Sequence, residues 1–270
     1  MRREAAVRTP PPVRSKGAPG ARQASPRALA IAGIAVAVIA AVIVAVVLVT
    51  RGSGNSTTPV SNLPKVGSSH WTGALPGAPY VKTLFKGIPQ QGLVLGSASA
   101  PAQLTEYIDL QCPVCQEFET QMLPTLIQKY VRTGKLSIKM QPWDILDRGG
   151  HDSARGQAAT IAATQQNKGF QFAEMLYLNQ GTEDTGWLTD NMVGTAAASV
   201  DGVDPQRILN DAGSSSVKSI VQAVDSSAAA GHFNSTPTLL LASHHGAPQV
   251  VSQGLPNLST LESQIEQAAA

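Results

Sequence analysis

Both cysteines of the chain stand in one Cys-Pro-Val-Cys run, Cys112 to Cys115. Two thiols three positions apart, where a strand-like pattern gives way to a helical one, can exchange electrons with a second dithiol. At a helix start the backbone N–H groups lack intrahelical partners and the macrodipole is positive, so a thiolate at Cys112 is stabilised. Pro113 suits the first helical position, where its missing donor costs nothing. Cys115, one turn further in, is placed to attack the Cys112 sulfur of a mixed disulfide and release its partner. Three other chemistries compete. A purely structural disulfide across so short a loop removes little chain entropy. A zinc site needs two more ligands from His70, His151, His232, His244 and His245, and no second CxxC accompanies them. Covalent haem needs a histidine at position 116, which is Gln. The motif thus calls for no metal and no cofactor.

The elements that must hold this pair are legible as patterns. Residues 92–95 and 103–110 read as short strands around a turn of small residues. Alternation in the second puts Leu104, Glu106, Ile108 and Leu110 on one face and Thr105, Tyr107 and Asp109 on the other. Glu106 thereby falls among apolar neighbours, where burial would raise its pKa and let it relay a proton. An exposed edge is the competing placement, because one strand does not reveal which face is covered. Asp109 reads as a strand-end or turn residue. Val114, Phe118, Met122, Leu126, Ile127 and Tyr130 recur at helical spacing, with a kink expected at Pro124 and a stop at Gly134. Residues 135–140 alternate as the next strand, which completes a right-handed βαβ unit.

From about 144 to 231 the composition shifts to Ala, Gln, Asp and Gly. Residues 153–166, 170–179, 187–199, 205–212 and 217–230 read as successive helices of one insertion. Strand character returns at 238–242 and 249–251, and 258–269 reads as a closing amphipathic helix. The fold class is α/β, a core interrupted by an inserted helical domain. Trp143 and Trp187 are expected to pack the core and the insertion, and His232 to lie in a solvated loop. Asn55, Asn234 and Asn257 head N-x-Ser/Thr triplets.

Charge settles the expected topology. Residues 1–27 carry seven basic side chains against Glu4, a net of +6, whereas residues 52–270 sum to minus 5. A nucleic-acid-binding domain would carry its basic excess in the folded part, so no nucleic-acid partner is expected. Residues 28–50 form a run of 23 uncharged residues. As a helix this run reaches about 35 Å, enough to cross a bilayer core of about 30 Å. A cleaved signal peptide is the competing reading, but the exit Val49-Thr50-Arg51-Gly52 lacks a small-x-small cleavage pattern. The expected division is a basic cytoplasmic arm over 1–27, a transmembrane anchor over 28–50, a flexible linker over 51–79 and a folded domain over 80–270. By the positive-inside rule that domain is extracytoplasmic, where disulfides form and persist.

The run Glu-Tyr-Ile-Asp-Leu-Gln-Cys-Pro-Val-Cys-Gln-Glu-Phe-Glu at 106–119 resembles the DsbA-like branch of the thioredoxin fold. Ser235-Thr236-Pro237-Thr238 followed by three leucines is similar to that family's cis-proline loop and strand. The resemblance implies a thioredoxin fold with a helical insertion, spanning roughly 92–270. It implies that Cys112 attacks, Cys115 resolves and the two form a redox-active disulfide. Glu106 matches the family's buried acid, which assists proton transfer, and Thr236 and Pro237 match its substrate-binding loop. An ordinary trans proline is the competing reading at Pro237. The implied activity is disulfide introduction into reduced exported proteins or peptides by a monomeric enzyme. A membrane redox partner, either a quinone-linked oxidase or a transmembrane electron donor, would restore the pair. A dedicated reductase for one exported client and a non-catalytic peptide-binding module are the alternatives. Val114 departs from members with histidine before the second cysteine, which implies a weaker oxidant.

Overall fold

The computed structural model describes residues 71, 74–243 and 246–270. The basic arm, the anchor over 28–50 and most of the linker lie outside the described residues, as do His70, His244 and His245. No helix among the described residues is long and apolar enough to cross a membrane.

Helix α1 (Ala78–Phe85) precedes a small hairpin of β1 (Gln90–Gln91) and β2 (Val94–Leu95). Packing begins ahead of Tyr80. The Leu75 N–H donates to Ser199 Oγ at 2.8 Å, and the Trp71 ring lies so close to Gly194 that no Cβ would fit there. β3 (Ala102–Ile108) runs into helix α2 over 113–131, which returns the chain to β4 (Leu136–Pro142), parallel to β3. Five helices follow: α3 (Asp152–Thr164), α4 (Gly169–Leu178), α5 (Asp190–Ala198), α6 (Pro205–Asp211) and α7 (Ser215–Ala230). β5 (Thr238–Ser243), antiparallel to β3, β6 (Gln249–Gln253) and helix α8 (Leu258–Ala268) close the fold. The sheet order is β1-β2-β4-β3-β5-β6, so the strand that leads to the cysteines is flanked on both sides.

Several boundaries differ from the sequence reading for identifiable reasons. β3 ends at Ile108 rather than Leu110 because Asp109 leaves the ladder: its carboxylate accepts from the N–H groups of Gln111, Ile145 and Leu146. Both faces of β3 are covered. Ala102, Leu104, Glu106 and Ile108 are buried on one side, while Tyr107 on the other packs with Val224 and Ala228 of α7 and with Trp143 and Phe233. The helix expected from 187 begins at Asp190, since Thr189 caps it by accepting the Met192 N–H at 3.1 Å.

At Pro124 the expected kink takes the form of widened turns. α2 is α-helical over Pro113–Glu117 and Leu123–Leu126, but a π turn over Phe118–Met122 precedes the second stretch and another over Ile127–Val131 follows it. Proline offers no donor and its ring crowds the carbonyl four residues back, so the hydrogen-bond ladder widens around it. Leu123 N–H accordingly reaches the Phe118 carbonyl, five residues back.

The insertion is fastened to the loop before the cysteines. Gly156 of α3 faces Leu110, whose Cβ would lie 2.6 Å from a Cβ at that position. Only glycine permits that approach. Asp147 supplies the cap that the first turn of α3 lacks, accepting from the N–H groups of Ser153 and Ala154 at 2.9 and 3.1 Å.

Candidate active site

Cys112 occupies the N-cap of α2 with extended backbone, and its sulfur accepts from the Cys115 N–H at 3.4 Å. It is 5% exposed, whereas Cys115 is fully buried. Both thiols are free. The neighbouring Val114 is an exposed apolar side chain. A substrate sulfur therefore meets Cys112 first.

The surroundings of the two sulfurs drive them apart. The Cys112 thiol is lowered to about 6, chiefly by the hydrogen bond from the Cys115 thiol. Partial burial opposes that shift, while the Thr236 side chain and the N–H groups of Cys115 and Val114 add to it. At neutral pH Cys112 is thus mostly thiolate. Burial, together with the charge and hydrogen bond of Cys112, pushes the Cys115 thiol well above its usual value. One sulfur is ready to react and the other holds its proton.

The turn that carries Cys112 is clamped from the insertion. Asp109 accepts from the Ser153 hydroxyl as well as from its three N–H donors, and its carbonyl accepts from Tyr177 Oη at 3.1 Å and from the Cys112 N–H at 3.1 Å. Burial still outweighs these donors and raises the Asp109 carboxyl. Gln111, fully buried, donates to Asp147 and to Ser153 Oγ and accepts from the Asp184 N–H. The Gln180 amide donates to the carbonyls of Leu110 and Cys112 at 2.9 and 3.2 Å. Asp147, Ser153, Tyr177, Gln180 and Asp184 of the insertion thereby hold the turn that carries the attacking sulfur.

Across the sheet, the peptide bond between Thr236 and Pro237 is cis. When protonated, the Cys112 thiol donates to the Thr236 carbonyl at 3.6 Å. The Thr236 hydroxyl, buried without another partner, faces the same sulfur. The fold thus gathers Cys112, Cys115, Thr236 and Pro237 from the two ends of the chain's core. His232 stands apart, exposed and at positive φ, at the end of α7.

Glu106 is fully buried, and neither carboxylate oxygen has a hydrogen-bond partner among the described residues. Burial, with the charge of Glu174 as a smaller contribution, pushes it up to about 8. Two further buried acids, Glu119 and Glu174, escaped the sequence reading although each left a signal. Glu119 stands four positions after Cys115, on the same helix face, and Glu174 interrupts an otherwise apolar run from Phe172 to Tyr177. Gln111, Tyr177 and Gln180 left none, since their role depends on a turn that no periodicity encodes.

Known proteins bear on this geometry in three ways. A family model described as thioredoxin matches residues 89–255. Disulfide bond formation protein D of Bacillus subtilis is 24% identical over 116 residues, 43% of this chain and 51% of that protein. A Bacillus cereus protein described as probable disulfide bond formation protein D is 30% identical over 101 residues, 37% of this chain and 45% of its own. The chain thus spans about half the length of the curated relatives it matches. Among solved structures, oxidised BdbD from Bacillus subtilis superposes with a TM-score of 0.58 at 19% identity, over 67% of this chain and 97% of that one. Chlamydia trachomatis DsbA superposes with a TM-score of 0.52 at 19% identity, over 65% and 90%. With its cysteine-bearing helix start, helical insertion and proline loop in family order, the chain belongs to the thioredoxin family, in its DsbA-like branch.

Proposed function

We propose that the protein is a membrane-anchored, extracytoplasmic thiol:disulfide oxidoreductase that introduces disulfides into exported proteins. The carrying observation is the contrast between Cys112, lowered to about 6 at a helix start, and Cys115, buried and raised well above the ordinary range. A thiolate stabilised in the reduced protein is a good leaving group and makes the disulfide form oxidising. The names of the relatives, disulfide bond formation proteins, support the same direction.

The cycle starts from the Cys112–Cys115 disulfide. A substrate thiolate attacks Cys112 Sγ, the intramolecular S–S bond breaks, and its electron pair leaves on Cys115 Sγ. A second substrate thiolate then attacks the substrate sulfur of the mixed disulfide and expels Cys112 as thiolate. Two electrons have moved from the substrate dithiol to the cysteine pair. A membrane redox partner takes them up again, and the uncharged run over 28–50 would hold the domain beside it. The backbone at Thr236 is positioned to pair with an extended substrate segment bound through Cys112. Val114, exposed beside the reactive sulfur, suits apolar substrate side chains.

The test is oxidation of a reduced, unfolded protein by the full chain and by its Cys112→Ala variant. Loss of disulfide formation in the variant is the expected result. Full activity without Cys112 would remove thiol exchange as the mechanism and favour a peptide-binding role.

A further inference from the structure

The end of α4 touches two stretches that lie far apart in the sequence. On one side it holds the turn of the attacking cysteine. The Tyr177 hydroxyl donates to the Asp109 carbonyl at 3.1 Å, and the Tyr177 carbonyl accepts from the Gln116 amide at 2.7 Å. The Gln180 amide adds its bonds to the carbonyls of Leu110 and Cys112. On the other side the same helix end meets the chain that leads into α1. The Asn179 side-chain amide donates to the Pro76 carbonyl at 3.1 Å. Leu178 lies so close to Gly77 that a Cβ there would come within 2.6 Å of its Cδ1, and Gly77 has a φ of 92°, in the left-handed region that favours glycine. Tyr177 and Gln180 thus face the cysteine turn, while Leu178 and Asn179 between them face Pro76 and Gly77.

α4 has little of its own to end on. The last carbonyls of a helix lack intrahelical partners. Its last turn carries no basic side chain, and its C-cap is Asn179 at a φ of −124° rather than a left-handed glycine. Side-chain amides close it instead: Gln116 on the Tyr177 carbonyl, and Asn179 on the carbonyls of Met175 and Pro76. One amide group thereby ties the last turn of α4 to the incoming chain. That chain is itself fixed, through the Leu75 N–H on Ser199 Oγ and through the Gly77 carbonyl, which accepts from the Val81 N–H at 2.9 Å at the start of α1.

We propose that Gly77 and Asn179 are positioning residues for thiol exchange: residues 74–77 brace the end of α4, and α4 holds the Cys112 turn in its reactive geometry. This role rests on the oxidoreductase reading. Attack on a disulfide needs the incoming sulfur in line with the bond that breaks, so a Cys112 backbone free to shift reacts more slowly. Substrate backbone docks at Thr236, on a separate element, so the brace acts on the rate of exchange and leaves peptide binding alone.

The experiment uses the full chain in detergent, as wild type, Gly77→Ala, Asn179→Ala and Gly87→Ala. Gly87, beyond the other end of α1, has a φ of 75° and no described atom within 4 Å of where a Cβ would stand. Its replacement imposes similar backbone strain without touching α4. Loss of one bracing contact should lower kcat for oxidation of a reduced peptide about fivefold with KM unchanged, and raise amide hydrogen exchange over residues 110–116 by a similar factor. Gly87→Ala should behave as wild type. Wild-type kcat and hydrogen exchange in both bracing variants overturn the proposal. So does a Gly87→Ala protein that matches Gly77→Ala, because the effect is then a general loss of stability. In wild type alone, at urea concentrations below unfolding, the N–H groups of Leu75, Asn179 and Cys112 should become exchangeable together. Cys112 protection that outlasts that of Leu75 and Asn179 overturns the proposal even if a variant does not fold. Full peptide oxidation by Cys112→Ala would instead overturn the oxidoreductase reading, with the hydrogen-exchange result deciding the brace separately.

Discussion

The sulfur of Cys112 and the carbonyl oxygen of Thr236 face each other across 3.6 Å, although 124 positions separate them in the chain. A sulfur bound to Cys112 therefore arrives beside the backbone of the proline loop, while Cys115 stays covered behind it. Attack, docking and resolution occupy three sides of one atom.

The thiolate at Cys112 depends first on the Cys115 thiol. Ultraviolet titration of the reduced protein should give an apparent pKa of about 6 for Cys112. Cys115→Ala should raise it by about one unit, because the remaining Thr236 and backbone donors are weaker contributors.

Val114 gives the thiolate a backbone N–H but no charge. Val114→His, at an exposed position, should lower the Cys112 pKa by about one unit. For a two-electron couple that corresponds to about 1.4 kcal/mol, or about 30 mV in the oxidising direction. Equilibration with glutathione reads this shift, and an unchanged potential would show that the backbone donors already saturate the thiolate.

Asp109 organises four donors around the turn before Cys112. Asp109→Ala leaves buried N–H groups unpaired and should destabilise the domain by about 3 kcal/mol or more in denaturant melts. Gln180→Ala, which frees only the carbonyls of Leu110 and Cys112, should cost about 1 kcal/mol and slow exchange more than it weakens folding.

The buried acids set a pH dependence of defined sign. Glu106 and Glu174 sit near 8 in the fold against 4.5 for the free group, so between those values the native state binds more protons than the unfolded chain. Stability must fall as pH rises through that window, by up to about 1.4 kcal/mol per pH unit per group. Cys112, lowered from 9.0 to about 6, works in the opposite sense between those values. Urea melts between pH 4.5 and 6 therefore isolate the carboxyls, and Glu106→Gln should flatten the slope there.

The sequence carried the chemistry further than the architecture around it. The CxxC at a strand-to-helix junction, the βαβ unit and the helical insertion follow from period and punctuation, which are local properties. Glu106 among leucine and isoleucine neighbours was legible for the same reason. The covering of both faces of β3 was not, because it depends on α7 arriving from more than a hundred residues away. Neither was the clamp of Gln111, Gln180 and Asp109: apart from the local bond between Asp109 and the Gln111 N–H, its bonds join groups brought together only by the insertion. Pro124 marked a disturbance in α2, but whether a ladder kinks or widens is decided by the packing of both flanks.

The most direct measurement of the central claim is capture on Cys112. In the full chain bearing Cys115→Ala, exposed to reduced exported proteins, the mixed disulfide has no internal thiol to release it. Covalent adducts with several cysteine-containing partners, dissociated by reductant and lost when Cys112 is also replaced by Ala, are the result expected of a disulfide-introducing enzyme. A Cys115→Ala protein that accumulates no reducible adduct would contradict it.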